Sequence, residues 1–388
     1  MSLHSFFRSK RKGDGDIVDD SGRNKKPKPP TRKNPSSIVS WNCENLISRI
    51  KKDLPALEKF LKDHDPDVLC LQECKLAAKC RDKNAKRYDG AVRYRHIIAQ
   101  ETKQQSEDFC MIQRLLERGI LSSYKAYWSL ADWKYAGTAC FVKKDIDVVR
   151  VRHSVPGSTR KGHHMDGRVI LLEFESMLLL NTYAPNNGKT EIKWTQRSAW
   201  DEELLNCFKV HGMMSQGKGS KGGSGDDQEG APFKPIVWVG DLNVAVMDDD
   251  VSDTHFFRTA KSLYGNGPKQ PPVPKDEKLR GYPGFTICEQ TRFQNICKAG
   301  LGLVDTYRMF VPYGSEKIDQ ESEYTWRGSA PVNSSFSSLY GKGMRLDYAL
   351  VQTPLATHVK SSAILGRGKD RDGFLGSDHA PIELVLQF

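Results

Sequence analysis

The sequence predicts an α/β fold, in one large domain or two ordinary ones, and three observations carry that expectation: short β-rich apolar runs alternate with helical patterns from residue 36 onward, acidic and amide residues follow those runs, and 38% hydrophobic content over 388 residues is enough for a large core. No staple is required at that size. The nine cysteines form no CxxC pair, so neither a disulfide framework nor a zinc ribbon is indicated, and a reducing compartment is expected. No apolar run reaches the length of a membrane span and residues 1–10 lack the core of a secretory signal, so a soluble intracellular protein is expected.

Charge is unevenly distributed. The first 34 residues hold ten bases and four acids, which is more than half of the net charge of +11. With almost no aliphatic content, residues 1–35 cannot offset their ordering entropy and are expected to form a disordered basic arm. Its clusters Lys10-Arg11-Lys12 and Arg23 to Lys33 fit nuclear import or loose contact with a polyanion. Leu3, Phe6 and Phe7 are its only large apolar residues near the start, and their spacing resembles a sliding-clamp-binding peptide.

The folded domain is assigned to residues 36–388. Residues 38–41 read as its first strand; Leu46, Ile47 and Ile50 then open a short helical turn, and Asp53 caps a second helix carrying Pro55, Leu57, Phe60 and Leu61. Further strands are expected at 68–71, 139–142, 169–174, 178–182, 236–239, 346–351 and 382–386. Trp194, Arg197, Trp200, Leu204 and Phe208 recur at helical spacing, and Phe293, Ile296 and Cys297 mark a helix closed by Gly300. Residues 213–235, rich in Gly, Ser and Lys, read as a flexible surface insert, and 77–125 as a longer, partly helical one. No repeat of fixed period is evident.

Functional groups belong at strand ends, where a rigid sheet fixes them and substrate still reaches them. Asn42, Glu73, Asp241 and Asn243 follow apolar runs, and Asp378 and His379 precede one. Each alone reads as a turn residue or cap; together they match phosphodiester hydrolysis. That chemistry needs a hard cation, a base for water, and donors where negative charge develops. Glu73 and Asp378 suit the cation, Asp241 the base, and Asn243 and His379 the donors, with Asp347 holding the imidazole.

Six ordered segments carry a family resemblance: Ser40-Trp41-Asn42, Leu71-Gln72-Glu73, Asn181-Thr182-Tyr183-Ala184-Pro185-Asn186, Gly240-Asp241-Leu242-Asn243, Arg345-Leu346-Asp347-Tyr348 and Gly376-Ser377-Asp378-His379-Ala380-Pro381. The chain from residue 36 resembles the exonuclease III-like apurinic/apyrimidinic (AP) endonucleases of the endonuclease/exonuclease/phosphatase superfamily. The resemblance implies a DNase I-like, four-layered α/β sandwich, with two facing mixed sheets flanked by helices. It implies Mg²⁺, with Mn²⁺ as a substitute, among Asn42, Glu44, Glu73 and Asp378, with Asp241, Asn243 and His379 also in reach of the ion. Asp241 resembles the water-activating residue, Asn243 its positioning partner, His379 with Asp347 the oxyanion stabiliser, Tyr183 the tyrosine on the scissile phosphate, and Asn186 a phosphate ligand.

Trp326 and Leu346 resemble residues lining the pocket for an extruded abasic sugar, while Lys189, Arg168 and Tyr135 resemble groups facing the DNA backbone. Three departures bear on selectivity: Glu44 stands for the usual Asp, Met344 for a pocket tryptophan, and Arg327 for a second aromatic. The implied activity is Mg²⁺-dependent cleavage of duplex DNA 5′ to abasic sites by a nuclear monomer, with trimming of blocked 3′ ends and 3′–5′ exonuclease action. Competing readings are a general DNase, a 3′ exonuclease or another phosphodiesterase of the superfamily, or a catalytically weak DNA-binding module.

Overall fold

The computed structural model describes residues 31–81, 93–155, 166–215, 233–260, 263, 272–314, 324–328 and 339–388. Leu3, Phe6 and Phe7, the arm before residue 31 and the centre of the 213–235 insert lie outside the described residues. In chain order the first strands are β1 (Ser37–Asn42), β2 (Val68–Gln72), β3 (Ala78–Cys80), β4 (Arg93–Ile98), β5 (Tyr124–Ser129), β6 (Thr138–Lys143), β7 (Arg150–Arg152) and β8 (Val169–Glu173). They are followed by β9 (Leu178–Tyr183), β10 (Ile236–Asp241), β11 (Leu303–Asp305), β12 (Trp326–Arg327), β13 (Gly343–Met344), β14 (Asp347–Gln352), β15 (Val359–Ile364) and β16 (Ile382–Leu386). The helices are α1 (Leu46–His64), α2 (Lys103–Arg118), α3 (Glu191–Ser215), α4 (Thr254–Thr259) and α5 (Ile287–Cys297).

Two six-stranded mixed sheets, ordered β15-β16-β1-β2-β6-β5 and β11-β14-β10-β9-β8-β7, form the inner layers. Ile38, Val68, Cys70 and Val142 from the first meet Ile170, Leu172, Leu179 and Val239 from the second in the central core. On the outer face of the first sheet, Val39, Trp41 and Leu69 pack against Ile47, Leu57 and Phe60 of α1 and Ile112 of α2. On the outer face of the second, Leu180 and Trp238 pack against Trp200, Leu204 and Phe208 of α3 and Phe293 of α5. These are the four layers of the expected DNase I-like sandwich.

The sheets share one pairing pattern. In each, a central parallel pair (β1 with β2, β9 with β10) is joined by a helix and flanked on both sides by antiparallel strands. The hairpin β15–β16 occupies in one sheet the place that β7–β8 occupies in the other. Because β15–β16 comes from the end of the chain and pairs with its beginning, this internal repeat has no sequence period.

Four expectations are corrected. Residues 46–64 form one helix, α1, not a turn and a second helix: Asn45 caps it by accepting from the Ser48 amide at 2.9 Å, and Asp53 instead pairs with Arg49 at 3.3 Å. Pro55 sits inside that helix, where proline costs about 3 kcal/mol. Leu46, Ile47, Ile50, Leu57, Phe60 and Leu61 are all buried by it, and that burial outweighs the penalty. The second correction is that α5 ends at the cap Lys298, and Gly300, with φ +61°, is placed where a Cβ would come within 2.3 Å of the Phe208 carbonyl.

Ordered structure also begins before residue 36. Arg32 pairs with Asp67 and Asp145, Lys33 with Glu175, and the Asn34 side chain accepts from the Ser176 amide, so an acidic edge holds the last residues of the basic arm. Finally, the insert after α3 starts later than 213, since the helix runs on to Ser215. The 77–125 stretch contains β3, β4 and α2; the Thr102–Gln105 capping box starts α2, and Ile112 and Leu115 bury it. Among the described residues no helix is long and apolar enough to cross a membrane.

Candidate active site

The parallel pair of each sheet ends at the same edge of the sandwich. Asn42 closes β1 opposite Gln72, and Tyr183 closes β9 opposite Asp241 at the end of β10. The antiparallel neighbour β14 begins beside them, with Asp347 opposite Asp241. Strand-terminal residues from both sheets therefore converge on one point. Gly240 makes the approach possible: its φ is +139°, and a Cβ there would lie 1.9 Å from the Thr182 carbonyl oxygen.

Asn42 stands at the centre. Its Nδ2 donates to Glu73 Oε1 at 3.1 Å and to Asp241 Oδ2 at 2.9 Å, while its Oδ1 accepts from the Glu44 amide at 3.0 Å. Tyr183 donates its hydroxyl to Glu73 Oε1 at 2.8 Å. The Asn243 amide donates to Asp241 Oδ1 at 2.9 Å, its Nδ2 donates to the Ala184 carbonyl at 3.0 Å, and Asn186 donates to its Oδ1 at 3.0 Å. His379 Nδ1 lies 2.7 Å from Asp347 Oδ2, leaving Nε2 facing Asp241 Oδ2 at 3.9 Å. Glu44, Glu73 and Asn243 all hold positive φ, and backbone of this kind persists only where the surrounding fold enforces it.

Burial sets the electrostatics. It pushes the Asp241 carboxyl up to about 7, against the opposing pull of His379, with the Asp347 charge adding to the rise. For His379 burial alone favours the neutral ring, but Asp347 and Asp241 outweigh it and hold the imidazole well above its usual range. Burial, reinforced by the Glu73 charge, likewise holds the Tyr183 phenol protonated. The edge thus presents a carboxyl poised near neutrality beside a cationic imidazole, a pairing suited to accepting one proton and donating another.

Cations of the protein's own offset the acidic side chains here: Lys75 meets Glu73, and Arg49 lies 3.9 Å from Glu44. Lys75 Nζ is 2.9 Å from Glu73 Oε2, and although burial opposes its charge, Glu73, Glu44 and Asp378 together raise its pKa. Among the described residues, the acidic and imidazole side chains whose ligand atoms lie within 4.8 Å of one another are Asp241, Asp347 and His379. Glu73 joins this cluster through Asn42, and carboxylate oxygens with no thiolate among them are donors of the kind that fits a hard divalent cation. Asp378 also accepts from Trp326 Nε1 at 3.0 Å, and Trp326 packs on a small apolar cluster of Phe257, Phe285, Met344 and Leu346.

Two other predicted residues behave differently. Arg168 is only 3% exposed, and its guanidinium is shared by Asp166, the Tyr183 carbonyl and the Tyr135 hydroxyl, so it holds the two tyrosines in place. Lys189 is exposed on the loop before α3. Sequence reasoning missed Lys75 and Arg371. The Asp378 and Glu44 charges reach Arg371 and partly oppose the lowering of its pKa by burial. A lysine two residues after a glutamate carries no signal of its own until the fold folds it back.

A two-sheet sandwich whose shared edge gathers carboxylates, amides and a cationic histidine defines a hydrolytic enzyme of the nuclease class. The chain belongs to the endonuclease/exonuclease/phosphatase family, whose model matches residues 39–379. It is 36% identical to a DNA-(apurinic or apyrimidinic site) endonuclease of Arabidopsis thaliana, over 97% of this chain and 90% of that protein. It is 27% identical to an exodeoxyribonuclease of Bacillus subtilis, over 90% of this chain and 98% of that one. The fold resembles that of AP endonuclease LMAP from Leishmania major with a TM-score of 0.57 at 20% identity, covering 100% of this chain and 98% of that one.

Proposed function

We propose that the protein is a Mg²⁺-dependent AP endonuclease that cleaves duplex DNA 5′ to abasic sites, with Mn²⁺ able to substitute and with 3′-phosphodiesterase and 3′–5′ exonuclease action on blocked or recessed ends. The observation that carries this reading is the convergence of Asp241, Asn243 and the His379–Asp347 pair beside Glu73 and Asn42. Asp241 accepts the proton of the attacking water, Asn243 and Asn186 orient that water and the phosphate, and His379 Nε2 donates to the non-bridging oxygen as charge builds there. Water's oxygen bonds to phosphorus and the phosphorus–O3′ bond breaks. Asn42, Glu44, Glu73 and Asp378 would hold the ion, with Asp241, Asn243 and His379 close by. When bound, it supplies positive charge for the phosphate and the departing oxygen.

The Trp326, Met344 and Leu346 cluster supports selection of an abasic sugar by shape, since a nucleotide without a base costs little to extrude. Methionine in place of an aromatic leaves a softer wall, which also admits a frayed 3′ end. The similarity to both an endonuclease and an exodeoxyribonuclease fits this double use. The basic arm is assigned to nuclear import, Leu3, Phe6 and Phe7 to a sliding clamp, and the active form to a monomer. Replacing Phe6 and Phe7 by Ala should abolish clamp binding.

The deciding experiment compares cleavage of duplexes bearing an abasic analogue, a 3′-blocked nick, a recessed 3′ end or no lesion, with Mg²⁺ and with EDTA. Preference for the abasic duplex and loss in EDTA are expected. Equal cutting of intact DNA, or cleavage indifferent to EDTA, would overturn the assignment.

A further inference from the structure

The chain leaving Glu73 does not return to solvent. The Cys74 and Lys75 amides donate to the Gly137 and Ala136 carbonyls, Ala77 bridges Ala131, and the strand then continues as β3 beside β4. Next to this hairpin lies a recess of about 250 Å³ lined by Arg81, Arg93, Tyr94, Arg95, His96, His153 and Ser154. Arg81 lies over the Tyr94 ring at 4.7 Å, and the His96 and His153 rings stack at 6.1 Å. Asp132 lies 2.8 Å from Arg95 and 3.8 Å from Arg93, Glu101 accepts from the Cys80 amide at 2.8 Å, and among the described residues no carboxylate pairs with Arg81. Three arginines and no carboxylate are found among the described residues that line the opening.

The recess is tied to the catalytic edge by short covalent and hydrogen-bonded links. Arg95 exchanges backbone and side-chain bonds with Leu130 at 2.9 and 2.8 Å, and three residues beyond Asp132 stands Tyr135, bonded to Arg168. Eight residues separate Glu73 from Arg81, so the recess lies within about 26 Å of Glu73 along the chain. Backbone phosphates recur every ~3.4 Å along a strand, so a duplex centred on the catalytic edge passes phosphates at this distance within about eight base pairs of the scissile bond.

We propose that this recess is an accessory DNA phosphate-binding site, in which Arg81 and Arg93 with His96 and His153 hold the backbone of the duplex flanking the lesion. Planar guanidinium forks match phosphate oxygens, and the Tyr94 ring keeps Arg81 oriented toward them. The site rests on the DNA reading above, yet it contributes to footprint and affinity and not to bond cleavage. Arg95, bonded to Leu130 and Asp132, fixes the wall, and Arg93 donates one guanidinium nitrogen to the Ala78 carbonyl at 3.2 Å, which sets its fork at the rim of the recess.

The test compares Arg81→Ala/Arg93→Ala with the full-length parent by fluorescence anisotropy, across a salt series, on abasic-analogue duplexes whose arms extend about four or about fifteen base pairs. Several-fold weaker binding to the long duplex, a salt slope smaller by about one to two, and unchanged affinity for the short duplex are expected. Cleavage of the short duplex should be unchanged, and Arg81→Lys/Arg93→Lys should recover most of the long-duplex affinity and slope. Unchanged binding and slope on the long duplex would overturn the site, as would equal losses on both lengths or a Lys variant as weak as the Ala variant. Lost binding to phosphatidylserine vesicles with unaltered duplex binding would overturn it in favour of a lipid surface. Parent enzyme that cleaves no abasic duplex at all would instead refute the DNA reading itself.

Discussion

Trp326 donates its indole N–H to Asp378 Oδ2 at 3.0 Å, so the ring that packs on the Phe257, Phe285, Met344 and Leu346 cluster is bonded directly to a carboxylate of the shared sheet edge. On the proposed function, lesion recognition and ion binding would meet in this one bond. Trp326→Phe keeps an aromatic wall but removes the donor that orients the carboxylate. It should raise the Mg²⁺ concentration needed for half-maximal incision by about 10-fold while leaving the rate at saturating Mg²⁺ within a few-fold. A Mg²⁺ titration of single-turnover cleavage measures both, and Trp326→Ala should additionally blunt the preference for abasic over intact duplex.

Asp241→Asn preserves the shape of the buried cluster and removes the proton acceptor; His379→Ala removes the opposing donor. Each should lower incision by about three orders of magnitude with little change in DNA affinity, because groups acting in the transition state add little to ground-state binding. Single-turnover rates paired with equilibrium binding test this, and matched losses in both quantities would contradict the assigned roles.

Gly240→Ala should be among the most damaging small substitutions. A methyl placed 1.9 Å from the Thr182 carbonyl must pry β10 from β9, and the φ of +139° is strained for alanine as well. A loss of about 3 kcal/mol is expected. Thermal unfolding reports the loss, and cleavage measured below the new midpoint reports the displacement of Asp241.

The acid stability of the fold should depend on His211. Burial pushes this imidazole down to about 4, against an ordinary value of 6.5, and Gln352 lies 3.3 Å from its Nδ1. Between those values the unfolded chain takes up a proton that the native state refuses. Stability contributed by this group is therefore full above 6.5 and falls as pH drops toward 4, by up to about 3 kcal/mol. His211→Gln, measured by urea unfolding from pH 7 to pH 4, should flatten that slope; an unaltered slope would contradict it.

Much of the architecture was legible from the burial pattern of the strands: β2, buried on both faces, reads as a continuous apolar run that 68–71 matches to one residue, and β16, buried on alternate residues, matches 382–386 at both ends. The site residues were legible for the same reason, since Asn42, Glu73 and Asp241 are found at or just past strand ends. Pro55 misled because a local rule was overridden by burial spread along all of α1. Lys75 and Arg371 were silent because the charges of Glu44 and Asp378 reach them only in the fold, and the burial of Arg168 was hidden because it depends on Tyr135 and Tyr183 closing over it. The matching pairing patterns of the two sheets were hidden because the strands of one sheet come from both ends of the chain.

Asn42 and Glu73 come from one half of that doubled architecture and Tyr183 and Asp241 from the other, with the Asn42–Asp241 bond spanning the seam at 2.9 Å. Neither half owns a complete reaction centre. Catalytic competence is consequently a gauge of sheet alignment: the centre is assembled only while the shared core holds the two sheets in register. Selection acting on activity alone is thereby enough to preserve the docking of the halves.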